Sequence, residues 1–103
     1  MKKLIIDDVT FKIKNEEEKE DLIRIIKEIK SKLKESNNLP SKISLFRDID
    51  KDKDVFKFYM VFDSDEDFDK WDAKVTQEVK DLFIKGLHKY YVKYNYSEKI
   101  DID

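Results

Sequence analysis

The sequence predicts an α+β domain in the order β-α-β-β-α-β, with one four-stranded antiparallel sheet and two helices on one face of it. Three observations lead to this arrangement. Apolar residues recur at every second position in runs near both ends of the chain and in its middle. Two longer stretches between those runs repeat apolar residues every three or four positions, the period of a helix with one buried stripe. The middle run Val55–Phe62, VFKFYMVF, is apolar on both faces in a chain that is 45% charged. A strand covered on one side only alternates with polar residues, so this strand is central and both its faces need cover.

Taken in order, Val9, Phe11 and Ile13 alternate with Thr10, Lys12 and Lys14, which predicts a first strand starting as early as Leu4. Asn15, with Glu18 three residues on, has the pattern of a capping box, and Glu16–Glu18 suit the positive end of a helix dipole. Leu22, Ile25, Ile26, Ile29 and Leu33 form the buried stripe of the first helix, opposite Lys19, Arg24, Lys27, Lys30 and Lys34. Ser36–Pro40 ends it, since the residue before a proline leaves helical dihedrals. Ile43, Leu45 and Phe46 begin a second strand that ends at Arg47 and Asp48, an interface pair or a ligand anchor. DIDKDKD, residues 48–54, is a charged turn; it lacks the Gly and terminal Glu of a calcium loop.

Phe56, Phe58, Met60 and Phe62 share one face of the third strand, and Val55, Tyr59 and Val61 share the other. Ser64 caps a second helix whose stripe is Phe68, Trp71, Val75, Val79, Leu82 and Phe83, and Gly86 is placed as its C-cap. The fourth strand sets Tyr90, Val92, Tyr94 and Tyr96 on one face and Tyr91, Lys93 and Asn95 on the other, with Ile100 and Ile102 as an extension or tail. Right-handed crossovers place both helices on one side, with the first and third strands central. This is the ferredoxin-like split βαβ arrangement, expected as one domain over residues 1–103. A second subunit is the simplest cover for the open face of the third strand.

Composition narrows the function classes. With 22 basic and 24 acidic residues interspersed, the net charge is −2, and no basic excess points to nucleic acid. RNA recognition motifs share the topology, but VFKFYMVF lacks the glycine of their third strand. The absence of cysteine excludes disulfides, zinc–thiolate sites and a thiol nucleophile. The start MKKLIIDD carries an apolar run of Leu4–Ile6 only, too short for a signal peptide, and no run approaches the about 20 apolar residues of a membrane span. A cytoplasmic protein with no membrane contact is expected.

The stretch LFRDIDKDKDVFKFYMVFDSDEDFDKW resembles the middle of the antibiotic biosynthesis monooxygenase-like family, of the dimeric α+β barrel superfamily. The resemblance implies a homodimer whose two sheets face each other as a barrel, with a pocket between sheet and helices or within the barrel. It implies oxidation of an aromatic or other apolar small molecule with no metal or flavin, or a non-catalytic binding or assembly role on the same barrel. A haem-degrading branch uses an Asn on the first strand and a Trp and a His on the second helix. Trp71 falls at the Trp position, but Asp81 stands where the His is expected and Thr10 and Lys12 offer no Asn, so that activity is not carried over.

Five residues are the expected pocket lining. Phe58, Tyr59, Trp71 and Tyr94 supply large aromatic surface, which dominates both cores and pockets for flat apolar ligands. His88 is the one histidine, just past the expected helix end; alone it makes no metal site. No catalytic residue is assigned from sequence.

Overall fold

A computed structural model describes residues 4–100 and 102; the first three residues, which open the signal-like stretch, and Asp101 and Asp103 lie outside them. The strands are β1 (Ile5–Lys12), β2 (Lys42–Arg47), β3 (Val55–Phe62) and β4 (Tyr91–Glu98). The helices are α1 (Glu16–Glu35), α2 (Asp65–Lys74) and α3 (Gln77–Asp81), followed by a π-turn over Leu82–Gly86 and a 3-10 turn over His88–Tyr90. The sheet is antiparallel with order β2-β3-β1-β4, so the first and third strands are central as expected.

Local chemistry explains the helix starts. Asn15 accepts from the Glu18 N–H at 2.9 Å, and the Glu18 carboxylate reaches back to the Lys14 N–H at 2.8 Å. Ser64 caps α2 in the same way, accepting from the Asp67 N–H at 3.1 Å. The core then fills one side of the sheet. Val9 and Phe11 of β1 and Phe56, Phe58, Met60 and Phe62 of β3 meet Leu22, Ile25, Ile29 and Leu33 of α1, Trp71 of α2 and Val79 of α3. Leu22, Ile29, Leu33 and Phe58 are wholly buried, each contributing about 1.5–3 kcal/mol.

The opposite face carries Asp8 and Thr10 of β1 beside Tyr59 and Lys57 of β3 and Asn95 and Lys93 of β4. No helix covers it among the described residues. Tyr59 and Val61 are nonetheless half-buried, and the Tyr59 ring meets Phe46 edge-on at 5.4 Å.

Three expectations are corrected. The second helix is not continuous: Val75 leaves helical dihedrals at ψ 128°, and Thr76 recaps the chain by accepting from the Val79 N–H. Gly86 is no left-handed cap, since no glycine here has positive φ. It sits in a tight spot, because a Cβ there would lie 3.3 Å from Ile25 Cγ2. Tyr90 is in the 3-10 turn rather than the strand, and a bulge at the start of β4 changes which way Tyr91 faces. Thr10 pairs with Lys93 but Phe11 pairs with Tyr91, which leaves Val92 as the extra residue. Tyr91 thereby joins Tyr94 on the helix side.

The charged turns are self-satisfied. Asp48 accepts from the N–H groups of Asp50, Lys51 and Asp52, and Arg47 donates to the Lys53 carbonyl at 2.6 Å with its guanidinium over the Phe56 ring. Arg47 thus clamps its own hairpin rather than pairing with Asp48. Among the described residues no helix is long and apolar enough to cross a membrane.

Candidate functional site

The break between α2 and α3 and the π-turn after it hold the helical layer off the β1–β4 half of the sheet. A cavity of about 470 Å³ opens there. Its walls are Val9, Phe11 and Met60 from the sheet, Trp71 and Val75 from the α2 end, and Phe83, Leu87 and Tyr91 from the turns and β4. Asp72, Lys80 and His88 also line it. One carboxyl group, that of Asp7, stands among the apolar residues of the sheet floor.

Asp7 alternates in phase with Val9 and Phe11, so β1 carries a charged residue on its buried face; it is 1% exposed. Oδ2 accepts a hydrogen bond from the Tyr94 hydroxyl at 2.9 Å, while Oδ1 is buried without a partner. The Tyr94 hydroxyl also contacts that of Tyr96. A phenol has one proton, and an ionised Asp7 claims that of Tyr94, so Tyr96 supplies the proton of the second bond. Tyr96 is itself held edge-on by Phe68 at 5.2 Å.

Burial pushes the Asp7 carboxyl up, the Tyr94 bond pulls it part of the way back and the charge of Asp8 adds a smaller upward push, which together leave it at about 6 rather than 3.8. Burial and the charge of Asp7 hold the Tyr94 phenol well above its ordinary range. The group therefore exchanges its proton closer to neutrality than an ordinary carboxyl does, a property that active-site carboxyls share. Trp71 adds a second unpaired polar atom. Its Nε1–H is buried and unpartnered, and its ring is fixed by Phe62 at 5.2 Å and Phe68 at 6.2 Å. Asn38 anchors the Trp71 backbone by donating to its carbonyl at 3.1 Å.

Of the five residues expected to line a pocket, Trp71, His88 and Tyr94 meet around this cavity. Phe58 and Tyr59 do not. Phe58 is wholly buried in the core, with Leu45 and Val9 beside it on the sheet and Phe83 of the π-turn over it. Tyr59 follows it on β3 and so faces the other side of the sheet. Asp81, at the position of the family's histidine, is bonded by Gln77 at 2.9 Å and is no part of the lining. Asp7 was missed from sequence, although extending the period-two pattern back from Val9 would have put it on the apolar face. No group of His, Cys, Asp and Glu among the described residues could hold a metal ion.

Comparison with known proteins gives a consistent answer at the level of fold. No family model matches the chain, and no curated protein matches its sequence. Solved structures do match over nearly the whole chain. A candidate antibiotic biosynthesis monooxygenase from Caulobacter crescentus shares 13% identity at a TM-score of 0.70, covering 97% of this chain and 92% of that one. A variant of SnoaB, a cofactor-independent oxygenase from Streptomyces nogalater, shares 9% identity at 0.67, over 97% and 94%. A dabb family protein with a ferredoxin-like fold from Mesorhizobium loti shares 15% at 0.64, over 98% and 99%. The chain therefore has the ferredoxin-like α+β fold that antibiotic biosynthesis monooxygenase-like proteins share, as the resemblance in its middle stretch implies.

Proposed function

We propose that this protein, a single domain over residues 1–103, is a cytoplasmic homodimer that holds a flat, largely apolar aromatic molecule in the Asp7–Trp71 cavity. There it oxidises the molecule with dioxygen and without a bound cofactor. The observation that carries this reading is the cavity itself: apolar aromatic walls around one buried, titratable carboxyl group. SnoaB, a cofactor-independent oxygenase, has the same fold. Without a cofactor the electrons must come from the substrate, which suits an electron-rich aromatic ring held out of water. The dimer is supported by the open sheet face, where Tyr59 and Val61 are half-buried, Phe46 is 57% exposed and Asp8 Oδ1 has no partner.

Oxygen consumption across a panel of phenols and hydroxyquinones tests the activity, with binding followed in parallel by calorimetry. Uptake above the protein-free rate for at least one compound, abolished by Trp71→Ala, is the expected result. Binding with no uptake across the panel would leave a non-catalytic binding module, and neither binding nor uptake would remove the cavity from consideration.

A further inference from the structure

We infer that the cavity takes its ligand apolar end first, and that the ligand carries an anionic carboxylate group held at the mouth by Lys80, His88 and Tyr91. This deepens the reading of the cavity as a site for a largely apolar aromatic molecule and rests on it. Polar atoms are distributed unevenly around the cavity. On its floor, Oδ1 of Asp7 and Nε1 of Trp71 are sealed from it, and the Tyr94 hydroxyl is committed to Asp7. The floor and inner walls therefore present apolar surface, that of Val9, Phe11 and Met60 included. A polar end of the ligand placed there would lose its water and gain no partner.

Reachable polar groups gather at the mouth. Lys80, His88 and Tyr91 line the cavity and are exposed, and their side chains have no hydrogen-bond or ion-pair partner among the described residues. Lys80, Ile84 and His88 follow one another at four-residue intervals along α3 and the turns after it, so they share one lip of the cavity. Ile84 is 63% exposed, which gives that lip an apolar shelf between two nitrogen donors. Tyr91 joins it from β4, because the Val92 bulge turns it to the helix side.

All three side chains donate: an ammonium, an imidazole N–H in either charge state and a phenol O–H. A carboxylate accepts from each of them, and its charge is opposite to that of Lys80. An ammonium group on the ligand would meet Lys80 with like charge. Asp72 is the acidic residue at the mouth, and its charge acts on the Tyr96 phenol. Tyr96 stands five residues along β4 from Tyr91, roughly 16 Å at the rise of a strand, so Asp72 belongs to the other end of the mouth.

Calorimetric binding of 1-naphthoate, naphthalene and 1-naphthylmethylamine at about pH 7.5 tests this, since the three share a ring system and differ in the charge of one group. The wild-type protein should bind naphthoate on the order of tenfold more tightly than naphthalene, and the amine no more tightly than naphthalene. Lys80→Gln should lower naphthoate affinity by about fivefold to tenfold and leave naphthalene affinity unchanged. His88→Leu and Tyr91→Phe should each lower naphthoate affinity by a smaller factor, and Lys80→Glu should turn the preference towards the amine. The three residues are exposed, so these variants keep the fold. Equal affinity for naphthoate and naphthalene, tighter binding of the amine, or a naphthoate preference that survives Lys80→Gln would overturn the inference and leave the cavity standing. Failure of all three probes to bind would defeat both.

Discussion

The Tyr94 hydroxyl donates a 2.9 Å hydrogen bond to Oδ2 of Asp7 and leaves Oδ1 of that carboxylate buried and unpaired. Burial outweighs the Tyr94 bond and favours protonated Asp7 in the folded chain, whose carboxyl is pushed up to about 6 from 3.8. Below 3.8 the group is protonated folded or unfolded and costs nothing. As pH rises from there the unfolded chain loses its proton first, so stability falls until about 6. The full penalty above that pH is about 3 kcal/mol. Asp7→Asn should therefore stabilise the protein by about 2–3 kcal/mol near neutral pH and by little near pH 4. Urea denaturation at the two pH values measures it, and an equal effect at both would contradict the burial argument.

Asp21 shows the opposite sign. Tyr90 donates to it at 2.6 Å, Arg24 at 2.6 Å and Lys89 sits at 3.0 Å; these bonds, that of Tyr90 foremost, hold its carboxyl well below the usual range. The stability they add is present above the unfolded value of 3.8 and is lost as pH falls below it. Tyr90→Phe should cost about 1 kcal/mol near neutral pH. The loss should shrink on acidification, as thermal melts at several pH values would record.

Gly86 packs against Ile25, with 3.3 Å between the position of an added Cβ and Ile25 Cγ2. Backbone dihedrals pose no barrier to a side chain there, so the effect should scale with volume. Gly86→Ala should change stability by less than about 1 kcal/mol, and Gly86→Val should destabilise by about 1–3 kcal/mol through overpacking. Chemical denaturation of both variants separates steric cost from a requirement for left-handed backbone, which would penalise alanine and valine alike.

The open sheet face provides a test of the proposed dimer. Tyr59→Asp or Val61→Asp would bury a charge between two sheets, raising the dimer dissociation constant at least on the order of tenfold. Analytical ultracentrifugation of the two variants beside the parent checks this. A parent protein that sediments as a stable monomer would remove the dimer from the account.

Much of the fold was legible because burial imposes a period. Val9 and Phe11, the Leu22–Leu33 stripe and Phe56–Phe62 fall on the face their spacing predicts, and both Asn15 and Ser64 cap as their position before acidic first turns implies. The α2–α3 break was hidden because Val75 and Val79 keep helical spacing across it, while the Thr76 cap that makes it is a single hydroxyl. The Val92 bulge was hidden for a similar reason: Tyr90, Val92, Tyr94 and Tyr96 form an unbroken alternation, yet pairing to β1 slips by one residue. Both irregularities shape the cavity, so Tyr91 was placed on the wrong face. Trp71 and Tyr94 were legible as large aromatic groups on a helix stripe and a strand, and His88 as the one histidine. Asp7 was not, because its meaning lies in facing an apolar cavity that only the packed helical layer creates.

The most direct test of the account is the ionisation of Asp7 itself, followed by the ¹³C shift of its side-chain carboxyl carbon across pH. The account predicts a midpoint near 6, raised in Tyr94→Phe. A midpoint at the ordinary 3.8, indifferent to Tyr94→Phe, would contradict it.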